Sequence, residues 1–163
     1  MAISVRVQTG DFDVSLETGR LREADASIGA IAVFIGTVRD LNDGAGVSTL
    51  TLEHYPGMTE AALHQIAEQA CARWSVIDVT IVHRVGTLQP TEQIVLVVVT
   101  SAHRGEAFAA CEFVMDFLKT QAPFWKKEQT PSGARWVQAR VSDDEAASRW
   151  TDAASAGERV SDQ

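Results

Sequence analysis

The chain has 163 residues, 45% of them hydrophobic and 22% charged, with a formal net charge of −8. That is the size and make-up of one globular domain, and it excludes a fibrous or wholly disordered chain. The longest apolar run, Ile94 to Val99, is far short of the ~20 residues that cross a bilayer. An acidic body also argues against duplex nucleic acid as a partner, because phosphate contacts need a basic face.

In chain order, Ile3 to Val7 alternates weakly and reads as a short strand, and Phe12 to Glu23 as a modest helix. The β-branched stretch Ile28 to Val38 predicts a strand, Asn42 to Gly46 a flexible turn, and Val47 to Tyr55 the next strand. Pro56-Gly57 suits the centre of a type II turn, after which Thr59 caps a helix carrying Leu63, Ile66, Ala67, Ala70 and Trp74 at helical spacing. Ile77, Val79 and Ile81 predict a half-buried strand, and Gly86 to Glu92 a loop. Ile94 to Val99 is apolar on both faces and predicts a central, covered strand. Ser101 can cap a third helix running to about Thr120, which Pro123 prevents from continuing. Trp125 to Glu128 and Ala134 to Val141 read as strands flanking the Pro131-Ser132-Gly133 turn.

This order predicts a single α+β domain over residues 1–141, with a mixed sheet and helices mainly on one face. Residues 142–163 hold six acidic and two basic residues, a net −4 of the −8, and read as a disordered or loosely helical tail. Met1 to Arg6 carries no basic stretch leading into an apolar run, so no export signal is expected. Cys71 and Cys111 lie far apart without a CxxC pair, which suits a reducing cytoplasm.

Lysine is scarce: arginine outnumbers it eleven to three, and Lys119, Lys126 and Lys127 all fall within nine residues. Phe108, Cys111, Met115 and Leu118 form an apolar stripe on the third helix, and Lys119 returns to nearly the same direction. Such a lysine either snorkels its amine outward or holds it in a partly desolvated pocket, where a neutral amine becomes accessible. Arginine cannot be deprotonated, so lysine at these positions points to a titratable amine, with chance clustering as the alternative. His103 and Arg104 stand at the start of that helix, where free N–H groups favour an anion; a capping histidine and a solvated arginine would explain them equally well. Thr37-Val38-Arg39 follows Gly36 at a strand end, a natural pocket rim, although an arginine there taken alone is more often a solvated charge. His54, His64, His83 and His103 show no metal-binding spacing, and no Walker, dinucleotide or GxSxG pattern occurs, so neither metal nor cofactor is expected. Both cysteines read as structural, which leaves the chain without a sulfur-carrying thiol of its own.

Five segments occur in a telling order: Phe34 to Arg39 (FIGTVR), Leu52 to Met58 (LEHYPGM), His83 to Gly86 (HRVG), Thr100 to Arg104 (TSAHR) and Ala122 to Glu128 (APFWKKE). Over residues 3–141 the chain closely resembles the catalytic, large subunit of molybdopterin synthase. Gln121 stands where a basic residue is more usual in that family. The resemblance implies an α/β hammerhead-like fold and a cytoplasmic sulfurtransferase of molybdenum cofactor biosynthesis. Such an enzyme adds two sulfurs to cyclic pyranopterin monophosphate to make the molybdopterin dithiolene. The sulfur is carried as a thiocarboxylate on the C-terminal Gly-Gly of a small ubiquitin-like subunit, and the assembly is a heterotetramer around a homodimer core. By resemblance, Lys119 is the principal catalytic residue and Lys126 its partner. Arg39, His103 and Arg104 hold phosphate and pterin, the latter two across the homodimer, while Thr37, Val38, Lys127 and Glu128 line the site. The rival readings are a non-catalytic module for a phosphorylated metabolite and a structural assembly subunit.

Overall fold

The computed structural model describes residues 2–42, 45–46, 49–130, 133–137, 146–148 and 150. The elements run β1 (Ala2–Gln8), α1 (Val14–Ala24), β2 (Ala30–Thr37), β3 (Leu41–Asn42), β4 (Ala45–Gly46), β5 (Thr49–His54) and α2 (Met58–Arg73). They continue with β6 (Asp78–Arg84), β7 (Gly86–Leu88), β8 (Gln93–Ser101), α3 (Arg104–Gln121), β9 (Phe124–Thr130) and β10 (Gly133–Val137). The main sheet has the order β1-β6-β8-β2, with β1 parallel to β6 and the other pairs antiparallel. A second, antiparallel sheet has the order β10-β9-β5-β7, and β3 and β4 form a small ladder of their own.

The expected α+β domain with a mixed sheet is what forms. The apolar run of β8 lies in the interior of the main sheet, and Val95 to Val99 are all buried, as a strand covered on both faces requires. Helices α2 and α3 bury Leu63, Ile66, Ala67, Ala70, Ala110, Phe113, Val114 and Leu118 against Val79, Ile81, Val97 and Val99. The other face is covered by α1 and the residue before its cap, where Phe12, Val14 and Leu21 pack on Val82, Leu96 and Val98. Strand β6 is therefore buried on both faces rather than half-buried.

The second sheet folds over one end of the first. Leu50, Leu52 and Leu88 on its inner face pack with Val38 and Val85, and Phe124 bridges this cluster to the main core. Thr59, buried at the first turn of α2, accepts the Tyr55 N–H at 3.1 Å and donates to the Pro123 carbonyl at 3.2 Å. That hydroxyl pins the start of β9 to the end of β5.

Several local expectations shift. The α2 N-cap is Gly57, at φ 84°, and the α3 N-cap is His103; Thr59 lies inside its helix and Ser101 ends β8. The Gly86–Glu92 loop contains β7; Leu41 pairs with Gly46 and Asn42 with Ala45 in the β3–β4 ladder, while Asp43 and Gly44, at the centre of the expected turn, lie outside the described residues. Phe108 is 66% exposed and lies off the buried stripe of α3, which runs instead through Ala107, Ala110, Cys111, Val114, Met115 and Leu118.

Packing also reaches beyond residue 141. Ala147 is buried, and the Trp150 ring meets Trp74 and Phe113 edge-on at 5.4 and 5.6 Å. Its indole N–H donates to Asp116 at 2.6 Å, and Arg73 donates to the Trp150 carbonyl. Residues 151–163 lie outside the described residues. Replacing a large aromatic that packs on the core leaves a void, so Trp150→Ala should cost about 2–3 kcal/mol, below the loss for a fully buried tryptophan. Urea unfolding at constant m checks this, and an unchanged midpoint would detach Trp150 from the fold.

Candidate active site

Strand register brings one end of the main sheet into focus. Gly36 on β2 and His83 on β6 are both partners of Val95, and Val7 on β1 is the partner of His83. Partners in register share a face, so these four form a row on the side covered by α2 and α3. Only Ala102 and His103 separate β8 from α3, so α3 must run back along β8. It packs on β8 and β2, and its last turn, with Lys119, closes over the row. The row needs its glycine: a Cβ at Gly36 would sit 2.7 Å from the Val95 side chain.

Three further segments meet there. The chain leaves β2 through Thr37-Val38-Arg39, and a register shift falls between Gly36 and Thr37. Val38 is buried and tied to the loop before β8, with its N–H on the Glu92 carbonyl at 2.9 Å and its carbonyl accepting the Thr91 N–H at 2.9 Å. Thr37 and Arg39 are exposed to either side of it. On β9, Phe124 is the partner of His54 and Lys126 the partner of the buried Leu52, so Phe124 and Lys126 share the inner face of the second sheet. Lys127 and Glu128 continue β9 opposite Thr51 and Leu50.

Lys126 is half-buried, whereas Lys119 is exposed. The apolar stripe therefore ends on Met115 and Leu118, and the partial burial expected for the Lys119 amine is absent from the chain on its own.

At the centre is a residue that motif spacing passed over. His83 is buried, 6% exposed, and its ring stacks on Phe124 with centroids 3.8 Å apart and planes 18° from parallel. Its Nδ1 lies 2.8 Å from the Arg84 carbonyl oxygen. Burial above all pushes its pKa down from 6.5 to about 4, the charges of Lys119, Lys126 and His54 push the same way, and the bond to the Arg84 carbonyl opposes them. Both lysines, one from α3 and one from β9, thus act on the same buried point. The alternation Val79, Ile81, His83 does place a histidine on an apolar face; what it cannot show is that Phe124 covers it.

His103 and Arg104 lie elsewhere. They are exposed at the start of α3, where Gly29, Ala102 and Gly105 join them around an open cleft of about 570 Å³. The cleft depends on Gly29, whose N–H donates to the Ser101 carbonyl at 3.0 Å; a Cβ there would overlap the Ala102 carbonyl oxygen. Sixteen residues of helix put Arg104 and Lys119 roughly 22–24 Å apart along the axis. One copy of the chain does not bring the two groups together.

Neither thiol is poised for chemistry. Burial raises the Cys111 pKa to about 11 and that of Cys71 above its usual 9.0, so both remain protonated near neutrality. Among the described residues no His, Cys, Asp or Glu cluster could hold a metal.

These features define a single-domain α+β protein with a basic corner at one end of its sheet and a basic cleft at the other. The MoaE protein family matches residues 7–121, and the chain belongs to that family. The molybdopterin synthase catalytic subunit of Ralstonia nicotianae is 62% identical over 156 residues, covering 94% of this chain and 89% of that protein. The molybdopterin synthase catalytic subunit of Escherichia coli is 55% identical over 139 residues, covering 85% and 92%. Among solved structures, the molybdopterin biosynthesis MoaE protein of Burkholderia ambifaria superimposes with a TM-score of 0.79 at 59% identity, over 93% of this chain and 99% of that one.

The buried imidazole predicts a pH signature of stability. With a folded pKa near 4 and an ordinary value of 6.5, the unfolded chain takes up the proton first as pH falls. His83 therefore leaves stability unaffected above about pH 6.5 and reduces it progressively down to pH 4. The whole effect is up to about 3 kcal/mol, at about 1.4 kcal/mol per unit. Denaturation between pH 4 and 7 should show this slope in the native chain and lose it in His83→Asn; an equal slope in both would place the titration elsewhere.

Proposed function

We infer that the chain is the catalytic subunit of a molybdopterin synthase. It would transfer two sulfurs, from the C-terminal thiocarboxylate of a small ubiquitin-like carrier, to cyclic pyranopterin monophosphate in the cytoplasm. Family membership and full-length likeness to catalytic subunits support the activity. The observation that carries the chemistry is the convergence of Lys119 and Lys126, from different elements, on one buried point beside the exit of β2.

In this reading Lys126 and Arg39 neutralise the substrate's phosphate and the carrier's thiocarboxylate, with Thr37, Val38, Lys127 and Glu128 around them. Lys119 handles protons or bonds transiently to carbon while sulfur replaces oxygen. Its exposure fits a site that a carrier tail and substrate complete: their arrival desolvates the amine, which the free chain leaves in water. A donor supplied by a partner also accounts for the inert thiols. His103 and Arg104 lie too far along α3 to serve their own Lys119. They would serve that of a second copy, which makes the homodimer part of the site and, with two carriers, gives a heterotetramer.

The test supplies pyranopterin and a thiocarboxylated carrier and follows dithiolene formation in a single turnover. Lys119→Arg should be nearly as inactive as Lys119→Ala, because a guanidinium keeps the charge but neither shuttles a proton nor attacks. For Lys126, arginine should be tolerated better than alanine. Near-normal turnover in Lys119→Arg would reduce the residue to a charge, and substrate binding without any turnover in the native chain would favour the non-catalytic module. A Cys71→Ala, Cys111→Ala chain that folds should keep its activity; loss would put the sulfur on the chain itself. Arg104→Ala should weaken substrate binding by about 1.5–3 kcal/mol, the worth of a charge-assisted contact, and unchanged affinity would leave the phosphate to Arg39 and Lys126 alone and remove Arg104 from the site.

A further inference from the structure

Sulfur transfer at a lysine pair does not by itself call for a histidine buried beside it. A carbonyl oxygen can only accept, so the 2.8 Å contact between His83 Nδ1 and the Arg84 carbonyl requires the proton on Nδ1. In the neutral ring the lone pair then sits on Nε2. That carbonyl is itself held firmly: the buried Arg84 guanidinium donates to the Thr9 carbonyl at 3.2 and 3.1 Å and to the Gln93 carbonyl at 2.9 Å. On its face the ring carries Phe124, 3.8 Å away. Lys126 is the next residue on that side of β9, roughly 7 Å further along the strand. Contacts thus run from Arg84 through His83 to Phe124, and the β9 backbone carries that placement on to Lys126, which, like Lys119 from the last turn of α3, acts on His83.

We propose that His83 is the positioning residue of the lysine pair, a neutral imidazole locked in its Nδ1–H tautomer that seats Phe124 and so sets where Lys126 stands relative to Lys119. The reaction it serves is the one proposed above. The chemistry of the corner explains the choice of histidine. A leucine would fill the space but leave the Arg84 carbonyl without its donor, while a lysine or arginine would add charge facing Lys119, Lys126 and His54. Imidazole offers a flat ring, a donor at the right edge and a neutral form in a side chain smaller than indole, and burial preserves that neutral form to about pH 4.

The test uses the fact that the chain has only three lysines. Lysine-selective isotope labelling therefore gives three side-chain signals, assignable by substitution. His83→Phe keeps a ring on Phe124 but loses the donor, and His83→Asn keeps the donor but loses the ring. Val82→Ala is the control: Val82 is fully buried on the same strand but faces α1. In both His83 variants the Lys126 signals should shift, and single-turnover dithiolene formation per folded molecule should fall at least about tenfold, as misplaced reacting groups do. In Val82→Ala the lysine signals should superimpose on those of the native chain and the rate should stay within about twofold. Unmoved Lys126 signals in either folded His83 variant would overturn the proposal. So would failure of both variants to fold, since His83 would then be needed for the fold alone. The label is read without substrate or carrier, so an absence of sulfur transfer in the native chain would count against the functional reading and leave this one to the spectra.

Discussion

An 18-residue helix is about 27 Å long, and α3 uses that length to hold two groups of cations apart. Its start follows β8 after two residues, so its direction is dictated by the strand it covers. One end therefore presents His103 and Arg104 beside Gly29, while the other delivers Lys119 to the row formed by Gly36, Val95, His83 and Val7. The rest of the architecture makes that second end a corner between two sheets: β2 exits there, and the second sheet folds over it with Lys126 on its inner face. The Thr59 hydroxyl and the His83 ring fix where that second sheet sits.

The electrostatics of the corner follow from the same geometry. The chain is acidic as a whole, yet lysines from two elements and the exposed Arg39 gather where its backbone turns out of the main sheet. The buried imidazole among them adds no charge of its own at neutral pH, so the lysines and Arg39 meet no further cation at the point on which they converge.

Much of this was legible in the sequence because it rests on local signals. The unbroken apolar run of β8, the stop imposed by Pro123 and the clustering of three lysines need no tertiary information. Other features lie in contacts between distant residues. Strand β7 is three residues long and exists only because β5 offers it a partner. Thr59 and Ser101 look like caps, but Thr59 spends its hydroxyl on Tyr55 and Pro123, and Ser101 donates to the Ser75 carbonyl. Phe108 matched the helical period and still faces out. His83 and Phe124 are 41 residues apart, so no spacing rule joins them. The exposure of Lys119 is equally beyond a periodicity argument, which fits an outward amine and a covered one alike.

In the proposed assembly a complete site combines Lys119 of one copy with Arg104 of another. The most direct measurement purifies, through two different tags, an assembly holding one Lys119→Ala copy and one Arg104→Ala copy, and assays it with carrier at subsaturating pyranopterin. Shared sites leave one of the two intact, so the mixed assembly should recover about half the native activity, well above either variant alone. Activity no higher than the mean of the two single variants would show that each chain works without its neighbour's α3.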